Sequence, residues 1–232
     1  MFFMNGRTLV FHGFGSIPMS ELNQALIKNI EISNNLVTTP VLPGHKPNKT
    51  HNLDINYFKH NGLLEMLNNG YQLIDKFIFE NKNESQLNFI GNSVGAYFLM
   101  NWLHKNSENP FENIVLFKPM FDLEHSLTIQ DKSLEELGIK SLKKLLKFDE
   151  YKNKLVGSIN NKYQTSANML IFAGENDDVV GNENFMKQRL DNINASYITL
   201  REAEHFTLKE EELIVFKNEV NQYLLKKYKN AS

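Results

Sequence analysis

The stretch Gln86-Leu87-Asn88-Phe89-Ile90-Gly91-Asn92-Ser93-Val94-Gly95-Ala96-Tyr97-Phe98-Leu99-Met100 decides how the chain folds. Residues 86–90 have the largely apolar character of a strand buried on both faces. From Ala96 onward the apolar pattern is that of a helix. Between the two lies Gly-x-Ser-x-Gly, in the context that gives it chemical meaning: strand, sharp turn, helix. A serine on such a turn projects its hydroxyl from the carboxyl edge of the sheet. Gly91 and Gly95 leave room, because a Cβ at either place is expected to press on neighbouring strand or helix backbone. The helix N-terminus beneath the serine favours negative charge developing close to it. Ser93 is the candidate nucleophile. The plainer reading is a glycine-rich strand-to-helix turn with a capping serine.

The same alternation repeats on either side. Further short strand-like runs occupy 8–11, 36–41, 113–117, 168–173 and 196–200, and helical patterns occupy 20–32, 63–79, 94–104, 184–190 and 213–228. Strands alternating with helices predict a parallel sheet covered on both faces, since right-handed crossovers place the helices there. The expected fold class is therefore α/β: a three-layer, doubly wound sheet of about six mostly parallel strands. The length of 232 residues suits a single domain, 1–232. Residues 121–165 break the rhythm with helical pattern and no convincing strand. They are expected to form a helical cap insertion over the strand ends.

A serine hydroxyl needs a general base, and the base needs an orienting acid. The strand–turn–helix serine resembles that of the α/β-hydrolases, and the resemblance implies their chain order of serine, then acid, then histidine. Three histidines follow Ser93. His104 lies in the helix leaving the turn, His125 at the start of the insertion, and His205 in a loop at the carboxyl end of the last strand. Topology selects His205. The loop after the penultimate strand reads Gly174-Glu175-Asn176-Asp177-Asp178, and its Gly-x-x-Asp frame favours Asp177 as the acid. Asp178 remains a competitor, as does Asp122 just after the fourth strand, and turn chemistry alone is the plain reading of Asp177. The oxyanion donors expected are the backbone N–H groups of Val94 and of Phe14, in His12-Gly13-Phe14-Gly15 after the first strand. His12 itself is read as a structural residue holding that loop.

Taken together, His12-Gly13-Phe14-Gly15, Gly91-Asn92-Ser93-Val94-Gly95, the 174–177 turn and His205-Phe206 resemble the α/β-hydrolase superfamily. Leu42-Pro43-Gly44-His45 looks like the Pro-Gly-His turn of its small carboxylesterase and acyl-ester hydrolase branch. The resemblance runs from Thr8 to the final helix. It departs from the larger members in that the antiparallel strands that open them are expected to be missing, and in Ala96, where a second glycine is often found. A serine at position 93 sets the chain apart from the haloalkane dehalogenase and epoxide hydrolase branches, whose nucleophile is Asp. The resemblance implies a serine esterase working through an acyl-enzyme on Ser93, with His205 and Asp177, on a small-molecule ester or thioester, and with no metal or organic cofactor.

Composition narrows the alternatives. A formal net charge of −2 leaves no electrostatic footprint for nucleic acid. Cysteine is absent, which excludes disulfides, thiolate metal sites and a cysteine nucleophile. Asn5, Gly6 and Arg7 interrupt the apolar N-terminus, and no apolar run reaches membrane-spanning length, so a cytoplasmic protein without a membrane span is expected. Phe121, Leu123, Leu127, Leu137 and Ile139 of the insertion either line an acyl site or pack it onto the core. Lys143, Lys144, Lys147, Lys152 and Lys154 read as a solvated helix face or as a dock for an acidic acyl-carrier protein. Within the same chemistry a thioesterase or acyl-carrier-protein ester hydrolase is the alternative. A hydrolase-fold protein that binds without catalysis is the distant one.

Overall fold

The computed structural model describes the chain except residues 1–5, 15, 17, 19, 32–35, 47–52, 107, 136–140, 152–167, 191–193, 207–208 and 227–232. Among the described residues six strands form one sheet: β1 (Gly6–Phe11), β2 (Leu36–Thr38), β3 (Gln86–Asn92), β4 (Asn113–Phe117), β5 (Met169–Gly174) and β6 (Ala195–Leu200). Their order is β2-β1-β3-β4-β5-β6, and every pairing is parallel. Eight helices among the described residues lie between and after these strands: α1 (Glu21–Glu31), α2 (Ile55–Glu80), α3 (Val94–Lys105), α4 (Leu123–Glu135), α5 (Leu142–Leu145), α6 (Phe148–Tyr151), α7 (Glu183–Arg189) and α8 (Glu210–Lys226).

Alternation along the strands builds two cores from one sheet, because successive side chains point to opposite faces. Leu9, Phe11, Phe89, Ile114, Leu116, Met169 and Ile171 face one way and pack with the buried faces of α2 and α3. Val10, Ile90, Val115, Phe117, Leu170 and Phe172 face the other and meet Phe216 and Val220 of α8. The central strands β3, β4 and β5 are buried at every position. This is why they read in sequence as almost unbroken apolar runs.

Strand order turns back on itself between β1 and β3, so a crevice opens at their carboxyl ends. The loops after these two strands carry Phe14 and Ser93.

Three elements differ from their sequence-based outlines. The second strand ends at Thr38 rather than 41; Pro40 cannot donate to a ladder, which shortens this edge strand. The helix expected over 63–79 does begin a helical run at Leu63, but about two further turns precede it from Ile55. Gly62 (φ 68°, ψ −171°) breaks the two pieces apart, and the Asp54 carboxylate caps the first by accepting from the Asn56 and Tyr57 N–H groups at 3.1 and 3.2 Å. The last helix begins at Glu210, with Glu210, Glu211 and Glu212 in the first turn where carboxylates suit the helix dipole.

Between β4 and β5 the described residues form α4, α5 and α6. The Leu63 N–H donates to the Leu146 carbonyl at 3.0 Å, which ties this segment to the helical restart of α2. Phe121, Leu123 and Leu127 are each at most 2% exposed and belong to the core. Leu137, Ile139, Lys152 and Lys154 lie outside the described residues. Lys147 Nζ donates to the His60 carbonyl at 3.1 Å, and Lys143 Nζ stands 5.7 Å from the Phe148 ring centre.

Candidate active site

The turn between β3 and α3 is held in a conformation few residues adopt. Ser93 has φ 50° and ψ −112°, in the left-handed half of backbone space. Both of its backbone groups are fixed by the segment that follows β4. Its N–H donates to the Phe117 carbonyl at 3.0 Å, and its carbonyl accepts from the Met120 N–H at 3.1 Å. The two glycines are close-packed against backbone. A Cβ on Gly91 would lie 2.7 Å from the Ala96 nitrogen, and one on Gly95 would lie 2.5 Å from the Phe11 carbonyl oxygen. The first helical hydrogen bond of α3 runs from the Ala96 N–H to the Ser93 carbonyl. The N–H groups of Val94 and Gly95 therefore precede the helix ladder.

Asp177 and His205 reach Ser93 from the loops after β5 and β6, on the far side of β4 in the sheet. Ser93 Oγ lies 3.0 Å from His205 Nε2, and His205 Nδ1 lies 2.9 Å from Asp177 Oδ2. A carboxylate only accepts, so the Nδ1–H donates to Asp177 and the neutral ring presents Nε2 as acceptor to the serine O–H. The other Asp177 oxygen accepts from the Val180 N–H at 3.0 Å. Side-chain exposure is 6% at His205 and nil at Asp177, so both hydrogen bonds form away from bulk water. Such bonds gain strength in a low local dielectric.

The competing residues have other engagements. Asp178 is exposed, and its backbone carbonyl lies 2.8 Å from His125 Nε2. Asp122 caps α4, accepting from the His125 N–H at 2.9 Å, and pairs with Arg189 of α7 at 2.5 Å. His104 stands exposed at the far end of α3.

The loop after β1 passes directly beside the serine. A Cβ on Gly13 would lie 3.5 Å from Ser93 Cβ and 3.3 Å from the Asn92 side-chain nitrogen. His12, 1% exposed, holds this loop at both ring nitrogens. Its Nδ1 lies 2.9 Å from the Gly13 carbonyl, to which it donates, and its Nε2 accepts from the Leu42 N–H at 3.1 Å. Burial, followed by the nearby His45, pushes the His12 pKa down to about 3, against the opposing pull of the Gly13 carbonyl. Burial likewise lowers the pKa of His45. The His45 ring packs edge-on against His12 at 4.9 Å and Phe14 at 5.6 Å. The Pro43–His45 turn thus supports the loop bearing Phe14 from behind, a role its sequence alone does not convey.

Beside His205 lies a cavity of about 370 Å³ lined by Ile129, Asn176, Asp178, Val179, Glu204 and Phe206. Ile129 brings α4 to its wall. A larger surface hollow of about 480 Å³ lies between Asp75, Phe79, Trp102 and Pro110, at the opposite ends of α2 and α3. Among the described residues no group of three or more His, Asp or Glu side chains is arranged to hold a metal ion. Nor is any described helix long and apolar enough to cross a membrane.

No protein-family model matches the chain, and no curated protein matches it in sequence. Solved structures do. Est1E from Butyrivibrio proteoclasticus, determined with ferulic acid bound, superposes with a TM-score of 0.69 at 15% identity, over 97% of this chain and 90% of that one. A soluble variant of the Saccharomyces cerevisiae monoglyceride lipase, in complex with a substrate analogue, gives 0.69 at 15% identity, over 96% and 87%. The alpha/beta hydrolase domain-containing protein 10 from mouse gives 0.66 at 10% identity, over 95% and 90%. At such identities the likeness is one of architecture, and the chain has the α/β-hydrolase fold.

Proposed function

We propose that the protein is a serine hydrolase that cleaves carboxylic esters through an acyl-enzyme. The observation that carries this reading is the continuous hydrogen-bond chain from Ser93 through His205 to Asp177, at 3.0 and 2.9 Å. His205 takes the Ser93 proton as Oγ attacks the ester carbonyl, and Asp177 holds the ring in the tautomer that makes this possible. The N–H groups of Val94 and Phe14 donate to the oxyanion of the tetrahedral intermediate. His205 then gives its proton to the departing alcohol oxygen as the C–O bond breaks. A water molecule, deprotonated by His205, attacks the acyl-serine and releases the acid, with the proton returning to Ser93. Each role falls to a residue of this chain.

Support for esters comes from the neighbours that share the fold, Est1E with ferulic acid bound and a monoglyceride lipase holding a substrate analogue. The test combines fluorophosphonate labelling with a panel of p-nitrophenyl esters of graded acyl length, run beside acyl thioesters. Labelling of the wild type, its loss in Ser93→Ala, and faster turnover of oxygen esters than of thioesters are expected. A folded wild type that neither labels nor turns over any ester overturns the reading. Preference for thioesters moves the substrate to the thioesterase class while leaving the mechanism in place.

A further inference from the structure

Lys118 follows the last residue of β4 and is 1% exposed, the most deeply buried cation among the described residues. Its backbone has φ 43°, and its N–H donates to the Phe172 carbonyl of β5 at 2.8 Å. Its ammonium lies 2.5 Å from the Glu204 carbonyl and 2.8 Å from Glu212 Oε2. The Glu212 side chain is 4% exposed. A buried ion pair of this kind is expensive in stability relative to apolar residues of the same volume, so its presence calls for another use.

The partners indicate what that use is. Glu204 immediately precedes His205, so the ammonium holds the peptide unit that sets the course of the backbone into the imidazole. The residues flanking Lys118 hold Ser93, since the Phe117 carbonyl and the Met120 N–H bind the serine's own N–H and carbonyl. One four-residue segment therefore grips the serine by its backbone and the histidine loop by a side chain. Glu212 is positioned by Phe216, one helical turn further along α8, whose ring packs on Phe117 at 5.4 Å and on Phe172 at 4.8 Å. Fixing both ends of a 3.0 Å contact to one short segment is a direct way to hold a hydrogen bond to a few tenths of an ångström.

Resting on the triad reading above, we propose that Lys118, neutralised by Glu212, is a positioning residue that sets the distance between His205 and Ser93. It touches no reacting atom and acts through the Glu204 carbonyl. Its loss is expected to lower kcat by about 10- to 100-fold, in line with displacing a catalytic group by up to an ångström, while KM stays within about twofold.

The decisive variant is Lys118→Met/Glu212→Leu, which removes the buried charges together and so avoids an unpaired one. It is expected to keep a Tm close to wild type, with low kcat and unchanged KM for p-nitrophenyl acetate. Val220→Ala, a buried α8 residue away from the site, serves as the control for destabilisation alone and keeps wild-type kcat. A second readout is independent of turnover: the His205 Nδ1 proton, observed directly by NMR, reports its hydrogen bond to Asp177. In the double variant this signal shifts or broadens. Wild-type kcat together with an unaltered His205 proton overturns the proposal, even with ester hydrolysis intact. A wild type that shows the His205 proton but neither labels nor hydrolyses overturns the esterase reading instead, and the NMR comparison still decides the positioning role. Should the double variant not fold, Glu212→Gln, which keeps the donor on Glu204, is compared with Lys118→Met. Equal kcat in those two overturns the proposal; a larger loss in Lys118→Met upholds it.

Discussion

Acidification should weaken this fold through His12 by an amount its surroundings define. In the folded chain the ring is buried, donates from Nδ1 to the Gly13 carbonyl and accepts at Nε2 from the Leu42 N–H. Protonating Nε2 would set one N–H against another, beside the buried ring of His45. The folded-state pKa is accordingly near 3, against 6.5 for a free histidine. The sign follows from linkage. Below pH 6.5 the unfolded chain takes up a proton that the folded chain refuses until about pH 3, so stability is fully present above pH 6.5 and lost as pH falls through that window. Between pH 7.5 and 4.5 this one group removes about 3 kcal/mol, most of it below pH 6.5. Urea unfolding of wild type and His12→Asn at fixed ionic strength, from pH 7.5 to 4.5, isolates it. Other groups contribute equally to both proteins, and the lost hydrogen bonds of the variant shift its curve by a pH-independent amount. The two stabilities should converge on acidification by about 3 kcal/mol. Parallel curves would show that His12 protonates freely in the folded state. The account of how it holds the loop carrying Phe14 would then be wrong.

Other substitutions separate the acids and test the turn. Asp177→Asn should lose about 10⁴-fold in kcat, whereas Asp178→Asn should stay close to wild type; steady-state hydrolysis of one p-nitrophenyl ester distinguishes them. Asp122→Ala removes the cap of α4 and the partner of Arg189, and should cost about 1–3 kcal/mol in urea unfolding with little change in kcat. Gly95→Ala places a methyl group 2.5 Å from the Phe11 carbonyl oxygen, and chemical denaturation should register about 1–3 kcal/mol of destabilisation.

The sheet was legible because β3, β4 and β5 are buried on both faces, so that their residue types report strand and burial together. Edges were less so. β2 is three residues long with Leu36 exposed at 58%, and only Pro40 hints at its early end. The first piece of α2 is also faint in the sequence. Its signal is a capping aspartate, Asp54, followed by a short segment that Gly62 cuts off, and apolar periodicity needs a longer window than that. The sequence allows Phe121, Leu123 and Leu127 either of two roles, and the structure gives them to the core. An apolar residue in an insertion looks the same in sequence whether it faces ligand or protein.

The candidate triad residues could be read because each sits at the end of its own strand, where chain order and turn spelling restrict the choice. Gly-x-Ser-x-Gly marks one loop, Gly-x-x-Asp another, and only one histidine follows the last strand. The groups that support them obey no such rule. Lys118 and Glu212 are 94 positions apart (212 − 118), and each looks alone like an ordinary surface charge. Their meeting depends on the depth at which Phe216 docks α8 against β4 and β5. One signal was nevertheless present. Lys118 directly follows Asn113–Phe117, a strand buried at every position, in a parallel sheet whose carboxyl edge carries the site. A charged residue placed there ends either in solvent or in the machinery of the site. The Glu204 carbonyl 2.5 Å from its ammonium decides between the two.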